Sequence, residues 1–344
     1  MAQQVLQRFD FTYSSPQATP LSTRHSLSAL PSDESVEPSG PYPELVGCLM
    51  YLMTCTRPDL AYPLSILARY VAPGRHRPEH MAAAKRVLRY LCSTSGLGLV
   101  LGGRRPVVLA GHADASWADD QATQRSSQGY TFSLGSGSVS WRSTRSSSVL
   151  GSNSEAEIYA GAMAAQELRW LTYLLTDLGE PPRSPPVLYV DNKAMLALCR
   201  EHRLEHRTKH IALRNFLARE LQQRGQLRLA YVASEANTAD IFTKALPPGD
   251  HQRFCTMLGR AMLPSPSGAL LCSPRAALPS RGARCSRATL AARVLHLLPA
   301  RCSPCPRTAR TLLHCALPTA LPYAVAAAAA QLLLAEIHPI MVVS

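Results

Sequence analysis

Two apolar periodicities divide the chain. Between residues 43 and 103 they are helical. Leu45, Leu49, Leu52 and Met53 form one stripe, and Met81, Ala84, Val87, Leu88 and Leu91 form another. The second stripe predicts a helix over 78–91, with Lys85, Arg86 and Arg89 on its solvated face. Between the stripes, Thr56-Arg57-Pro58 reads as a helix start with proline near the first turn. From residue 104 the pattern changes. Residues 107–114 are apolar on both faces until His112 and Asp114, as in a central strand that ends in an acid. Residues 128–134 and 137–142 suit a hairpin, turning at Gly135, Ser136 and Gly137. A long helix is expected over 154–178, then a second apolar strand over 186–191, again ending in an acid. Helices over 193–199 and 209–223, a strand over 227–233 and a helix starting near Asn237 complete the segment. An early hairpin followed by βα units predicts an α/β fold: a mixed five-stranded sheet with flanking helices.

The flanks show neither period. Residues 1–42 open on a short helical patch and become a Ser/Pro-rich linker. Residues 261–344 are a low-complexity Ala/Pro/Arg tail with Glu336 as its only acid, and are expected to be disordered. Cys302, Cys305, His314 and Cys315 in that tail fit no common zinc spacing. Four segments follow: 1–42, a helical segment over 43–103, an α/β domain over 104–260, and the tail over 261–344.

Charge narrows the partners. The formal net charge is +13 over 344 residues, much of it in the tail, which favours nucleic acid or another polyanion. The ten cysteines form no disulfide framework and read as reduced. The N-terminus has no signal-peptide pattern, and the apolar run 323–335 is too short to span a bilayer. A soluble intracellular protein, cytoplasmic or nuclear and without membrane contact, is expected.

The candidate chemistry lies in four acids. Hydrolysis of a phosphodiester needs an activated water and charge neutralisation at the leaving oxygen. Two divalent cations about 3.5–4 Å apart supply both. Mg²⁺ takes oxygen ligands, so such a site calls for a few Asp and Glu at strand ends and first helical turns. Asp114 and Asp191 close the two apolar strands, although each also reads as an ordinary loop or cap aspartate. Ser152-x-x-Glu155 and Ser154-x-x-Glu157 both fit a capping box. Helical spacing separates them: Glu157 shares its face with Ala160, Gly161, Ala164, Leu168, Leu171 and Leu175, whereas Glu155 shares one with Ala162, Gln166, Arg169 and Tyr173. Glu155 is therefore assigned to the cap and Glu157 to the cluster. Asp240 follows Asn237 by three residues, so helix capping explains it equally well alone.

Ordered motifs then point to a family. Leu45-Val-Gly-Cys-Leu-Met-Tyr-Leu52, Thr56-Arg-Pro-Asp-Leu60, His112-Ala-Asp-Ala-Ser-Trp117, Arg125-Ser-Ser-Gln-Gly-Tyr130, Val139-Ser-Trp141, Ser154-Glu-Ala-Glu157, Tyr189-Val-Asp-Asn192, Arg207-Thr-Lys-His-Ile211 and Ala239-Asp-Ile-Phe-Thr-Lys-Ala-Leu246 occur in sequence. Over residues 3–260 the chain resembles the C-terminal part of the Pol polyprotein of copia-type LTR retrotransposons: the end of the reverse transcriptase with its connection, then an RNase H domain. The resemblance implies that residues 1–42 contain a thumb remnant. It also implies an RNase H-like sheet and cleavage of RNA in RNA–DNA hybrids, with Asp114, Glu157, Asp191 and Asp240 holding two Mg²⁺ ions, or Mn²⁺ in their place. No aromatic-x-Asp-Asp hairpin occurs, so no polymerase activity is expected, and a polymerase palm would have to come from another chain.

The hybrid would be held by its backbone. Arg203, His206, Arg207, Lys209 and His210 form a basic run near Asp191, and Lys244 lies one helical turn after Asp240. These are the expected phosphate contacts. Trp117 is expected to pack under the sheet rather than stack on nucleic acid. Two other readings are a catalytically idle fragment that binds nucleic acid and a DNA-cutting nuclease of similar fold.

Overall fold

A computed structural model describes residues 1–24, 27, 40–101, 108–200, 217–262 and 341–343. Helices α1 (Ala2–Arg8), α2 (Tyr42–Cys55), α3 (Ala61–Leu67) and α4 (Pro78–Ser93) come first, followed by strand β1 (Leu97–Leu101). Then come β2 (Leu109–Asp120), β3 (Arg125–Leu134), β4 (Ser138–Arg145), the long helix α5 (Asn153–Asp177), β5 (Val187–Val190), α6 (Lys193–Arg200), α7 (Leu217–Gln223) and β6 (Arg228–Tyr231). A 3-10 helix, Thr238–Phe242, leads to α8 (Pro248–Met257), β7 (Arg260–Met262) and β8 (Met341–Val343).

The main sheet has the order β4-β3-β2-β5-β6. β2, β3 and β4 are antiparallel neighbours, while β5 runs parallel to both β2 and β6. This is the five-stranded mixed sheet expected. The α5 stripe of small residues explains its docking: Ala160, Gly161, Ala164, Leu168 and Leu171 are buried. Gly161 is needed there, because a Cβ would lie 2.0 Å from Met195 Cε of α6.

The helical segment also behaves as its stripes predict. Leu45, Leu49 and Leu52 of α2 and Ala84, Val87, Leu88 and Leu91 of α4 bury into one core with Tyr42, Leu64 and Leu67. Its end departs from the helical expectation. Residues 97–101 are a strand, pairing antiparallel with β7 on one side and β8 on the other. The partners lie more than a hundred residues away, which local periodicity cannot register. Met341–Val343 are thus paired within the tail expected to be structureless; its residues 263–340, with Cys302, Cys305, His314 and Cys315, lie outside the described residues.

A buried ionic node joins the helices to the end of the α/β segment. Asp59 accepts from Arg57 Nε at 3.1 Å, Arg57 Nη2 at 2.9 Å, Tyr90 Oη at 2.7 Å and Arg260 Nη1. Arg260 also donates to Leu97 O at 2.9 Å. Burial by itself would raise the Asp59 carboxyl, but the Arg260 and Arg57 guanidiniums hold it well below the usual carboxylate range. Elsewhere Trp141 Nε1 donates to Met53 O at 3.1 Å, and Arg69 pairs with Asp120 at 3.1 Å. The helices of this segment therefore pack directly on the sheet.

Candidate active site

The four sequence-predicted acids come from four different elements. Asp114 does not end its strand as expected. β2 runs on to Asp120, its far part paired with β3 around an irregularity between Ser116 and Asp120. Val107 lies outside the described residues, and Val108 precedes the strand with its side chain half-exposed. Glu157 sits in the second turn of α5 and is buried, as its stripe requires. Ser152 caps this helix: its hydroxyl accepts from Glu155 N–H at 3.1 Å, and Glu155 Oε2 accepts from Gly151 N–H at 2.7 Å. The division of labour between Glu155 and Glu157 is thus the one expected. On the Glu155 stripe Gln166, Arg169 and Tyr173 are exposed, but Ala162 is buried.

Asp191 follows β5 directly. Ser234 Oγ donates to its Oδ2 at 2.7 Å, and Asn192 Oδ1 accepts from Met195 N–H at 2.9 Å at the start of α6. One carboxylate oxygen each from Asp114, Glu157 and Asp191 lie within 4.8 Å of one another.

Asp240 reaches the same place by a different route. The helix expected from Asn237 is a 3-10 turn, with Asn237 Oδ1 accepting from Ala239 N–H at 3.2 Å. Asn237 Nδ2 donates to Ala113 O at 3.1 Å and so ties the turn to β2. Opposite Asp114 in the β2–β3 register stands Gly129. A Cβ there would lie 2.4 Å from Phe242 Cβ. The absent side chain lets the turn lie flat on the sheet and brings Asp240 and Thr243 to Asp114. Asp240 Oδ1 is buried with no hydrogen-bond partner among the described residues, while Oδ2 pairs with Lys244 Nζ at 2.8 Å.

Burial and mutual repulsion dominate the electrostatics. Burial pushes the Asp114 carboxyl up, and Asp240 adds to the shift, against Lys244 and the Thr243 hydroxyl. Burial pushes Glu157 up further, reinforced by Asp114, Asp191 and Asp240. Asp240 is raised in the same way, by burial first, against its bond to Lys244. Burial opposes the Lys244 charge, yet Asp114 and Asp240 keep its ammonium above the usual lysine value. An all-oxygen donor set, short of positive charge and with an unpartnered buried carboxylate oxygen, fits hard divalent cations.

The remaining predicted residues divide. Lys244 is at the cluster, half-exposed and ion-paired. Arg203, His206, Arg207, Lys209 and His210 lie outside the described residues. Trp117 is not under the sheet: it is 49% exposed, with its indole N–H donating to Leu150 O at 2.9 Å. The register irregularity just past Ser116 turns this part of β2 away from the packed face. Sequence reasoning missed Asn237 as a tie to β2, Thr243 as a partner of Asp114, and Asp59. For Asp59 the signal was an acid two residues after Arg57, at the head of the apolar run that begins at Leu60. Among the described residues, no helix is long and apolar enough to cross a membrane.

Comparison with known proteins places the chain. No family model matches it. The retrovirus-related Pol polyprotein of transposon TNT 1-94 from Nicotiana tabacum is 36% identical over 251 residues, covering 71% of this chain and 18% of that protein. The corresponding polyprotein of transposon RE2 from Arabidopsis thaliana is 36% identical over 269 residues, covering 78% and 18%. The chain therefore spans 18% of the length of these curated relatives. Among solved structures, LC11-RNase H1 isolated from compost is similar at a TM-score of 0.31 and 15% identity, over 40% of this chain and 93% of that one. With its motifs in family order and these relatives over most of its length, the chain is homologous to a part of the copia-type retrotransposon Pol polyproteins.

Proposed function

We propose that this chain is a retroelement ribonuclease H, a metal-dependent endonuclease that hydrolyses the RNA strand of RNA–DNA hybrids. The observation that carries the reading is the convergence of Asp114, Glu157 and Asp191 within 4.8 Å, with the unpartnered buried oxygen of Asp240 nearby. These four acids would hold two Mg²⁺ ions, or Mn²⁺. Bound there, such ions supply an activated water and neutralise charge on the leaving oxygen. The chain's own part is to hold four carboxylates together against their repulsion and to bury Asp114, Glu157 and Asp240 away from bulk water. Asp114 and Asp240 are held by the β2 strand and the 3-10 turn, Glu157 by α5, and Asp191 by the end of β5. Such anchoring on regular elements keeps ligand directions constant between turnovers.

Arg203, Arg207, Lys209 and His210 are assigned to the phosphates of the hybrid, and so is Lys244 once metal has taken over Asp240. A polymerase palm on another chain completes the proposal, with 104–260 as the nuclease body and 43–103 as the docked connection. The test is cleavage of labelled RNA–DNA hybrid, double-stranded RNA and double-stranded DNA in Mg²⁺, with Asp114→Asn as control. Hybrid-selective cleavage that disappears in the variant is expected. Equal cleavage of DNA would point to a different nuclease, and no metal-dependent cleavage would favour the idle, nucleic-acid-binding fragment.

A further inference from the structure

Thr243 has no part in the scheme so far, yet its surroundings define it closely. It is fully buried and follows the 3-10 turn that carries Asp240. Its hydroxyl contacts Asp114 Oδ2 and lies 3.2 Å from Asp240 O. A hydroxyl has one proton to give, and a carboxylate is the stronger acceptor, so the proton points to Asp114. The methyl group is held on the other side: a Cβ at Gly129 would lie 3.2 Å from Thr243 Cγ2. With the methyl against the sheet and the hydroxyl on the carboxylate, one χ1 rotamer satisfies both contacts.

We propose that Thr243 is a positioning residue. Its hydrogen bond sets the rotation of the Asp114 carboxylate, and so the direction in which that group meets Glu157, Asp191 and the cations they would share. The consequence for hydrolysis rests on the ribonuclease reading above; the consequence for metal affinity can be measured without it. Ligand-supporting groups of this kind typically change metal affinity or activity by about 10–100-fold when removed.

The test uses the full chain and three variants. Thr243→Val keeps the branched shape and loses the hydroxyl, Thr243→Ser keeps the hydroxyl, and Thr243→Ala replaces the valine variant if that one fails to fold. Calorimetric titration with Mn²⁺, without nucleic acid, should show affinity lowered by about 10–100-fold in Thr243→Val and largely restored in Thr243→Ser. In the hybrid assay kcat should fall while KM stays near wild type. A valine variant with wild-type Mn²⁺ affinity, or a serine variant no better than valine, overturns the proposal. So does a wild-type chain that binds no Mn²⁺. A wild type that binds Mn²⁺ but leaves hybrid uncut removes the ribonuclease reading alone, and the titrations still decide the role of Thr243.

Discussion

Lys244 Nζ lies 2.8 Å from Asp240 Oδ2, one helical turn along the chain, so the acid cluster carries its own cation. The lysine side chain is 44% exposed, which screens the pair and limits its worth. Lys244→Gln should therefore destabilise the metal-free chain by about 0.5–1 kcal/mol near pH 8, and Mg²⁺ should reduce the difference. Thermal unfolding with and without Mg²⁺ measures both effects. Identical melting temperatures in chelator would show that the lysine does not offset the cluster's repulsion.

The cluster also sets a pH dependence. Burial and mutual repulsion hold Asp114 and Glu157 protonated in the folded chain at pH values where the unfolded chain has released those protons. The folded state then binds more protons, so stability falls with rising pH. The penalty is absent below the ordinary carboxylate range and grows until Glu157 itself ionises, at about 9. Metal-free protein should thus melt progressively lower between pH 5 and 9, and a saturating divalent cation should flatten the curve. Glu157→Gln should flatten it without metal. A metal-free profile that rises over this window would contradict the burial of the acids.

Glu155 and Glu157 stand two residues apart and should respond oppositely. Glu155→Gln weakens a helix cap, at a cost of about 1 kcal/mol or less, and should leave hybrid cleavage near wild type. Glu157→Gln removes the buried carboxyl that must take up a proton on folding, so near pH 8 it should stabilise the metal-free chain while lowering cleavage by about 10³-fold or more, several kcal/mol of transition-state stabilisation. Paired melting and rate measurements distinguish the two, and equal rate losses would reject the division.

The node at Asp59 predicts that the helical segment and the end of the α/β segment stand or fall together. Arg260→Met leaves Asp59 with one guanidinium fewer in a buried setting, a change that typically costs about 3–5 kcal/mol. Denaturant unfolding should move to a much lower midpoint, and proteolysis should reach the 97–101 strand sooner. A variant as stable as wild type would mean that Arg57 and Tyr90 suffice.

Gly129→Ala probes how the turn bearing Asp240 reaches the sheet. The new methyl would meet Phe242 Cβ at 2.4 Å, so the turn must lift. A stability loss of about 1–3 kcal/mol, typical of overpacking, is expected together with weaker Mn²⁺ binding. Loss of stability with unchanged binding would uncouple the turn from the site.

Much of this was legible in the chain itself. Apolar runs, alternation and helical stripes located every strand of the main sheet and the helices α2, α4, α5 and α6, because each element buries at least one face whatever its partners are. The choice of Glu157 over Glu155 followed from the same helical spacing. Tertiary structure decided what depends on distant partners. Strand β1 exists because β7 and β8 pair with it, and β2 continues past Asp114 because β3 does. Trp117 turns outward where the β2–β3 register breaks, a feature of pairing and not of composition. Above all, Asp240 could not be told from an ordinary cap residue by its neighbours in sequence. Gly129 opens the space, Asn237 ties the turn to Ala113, and Thr243 meets Asp114; only the fold brings these residues, more than a hundred positions apart at the extremes, onto one carboxylate.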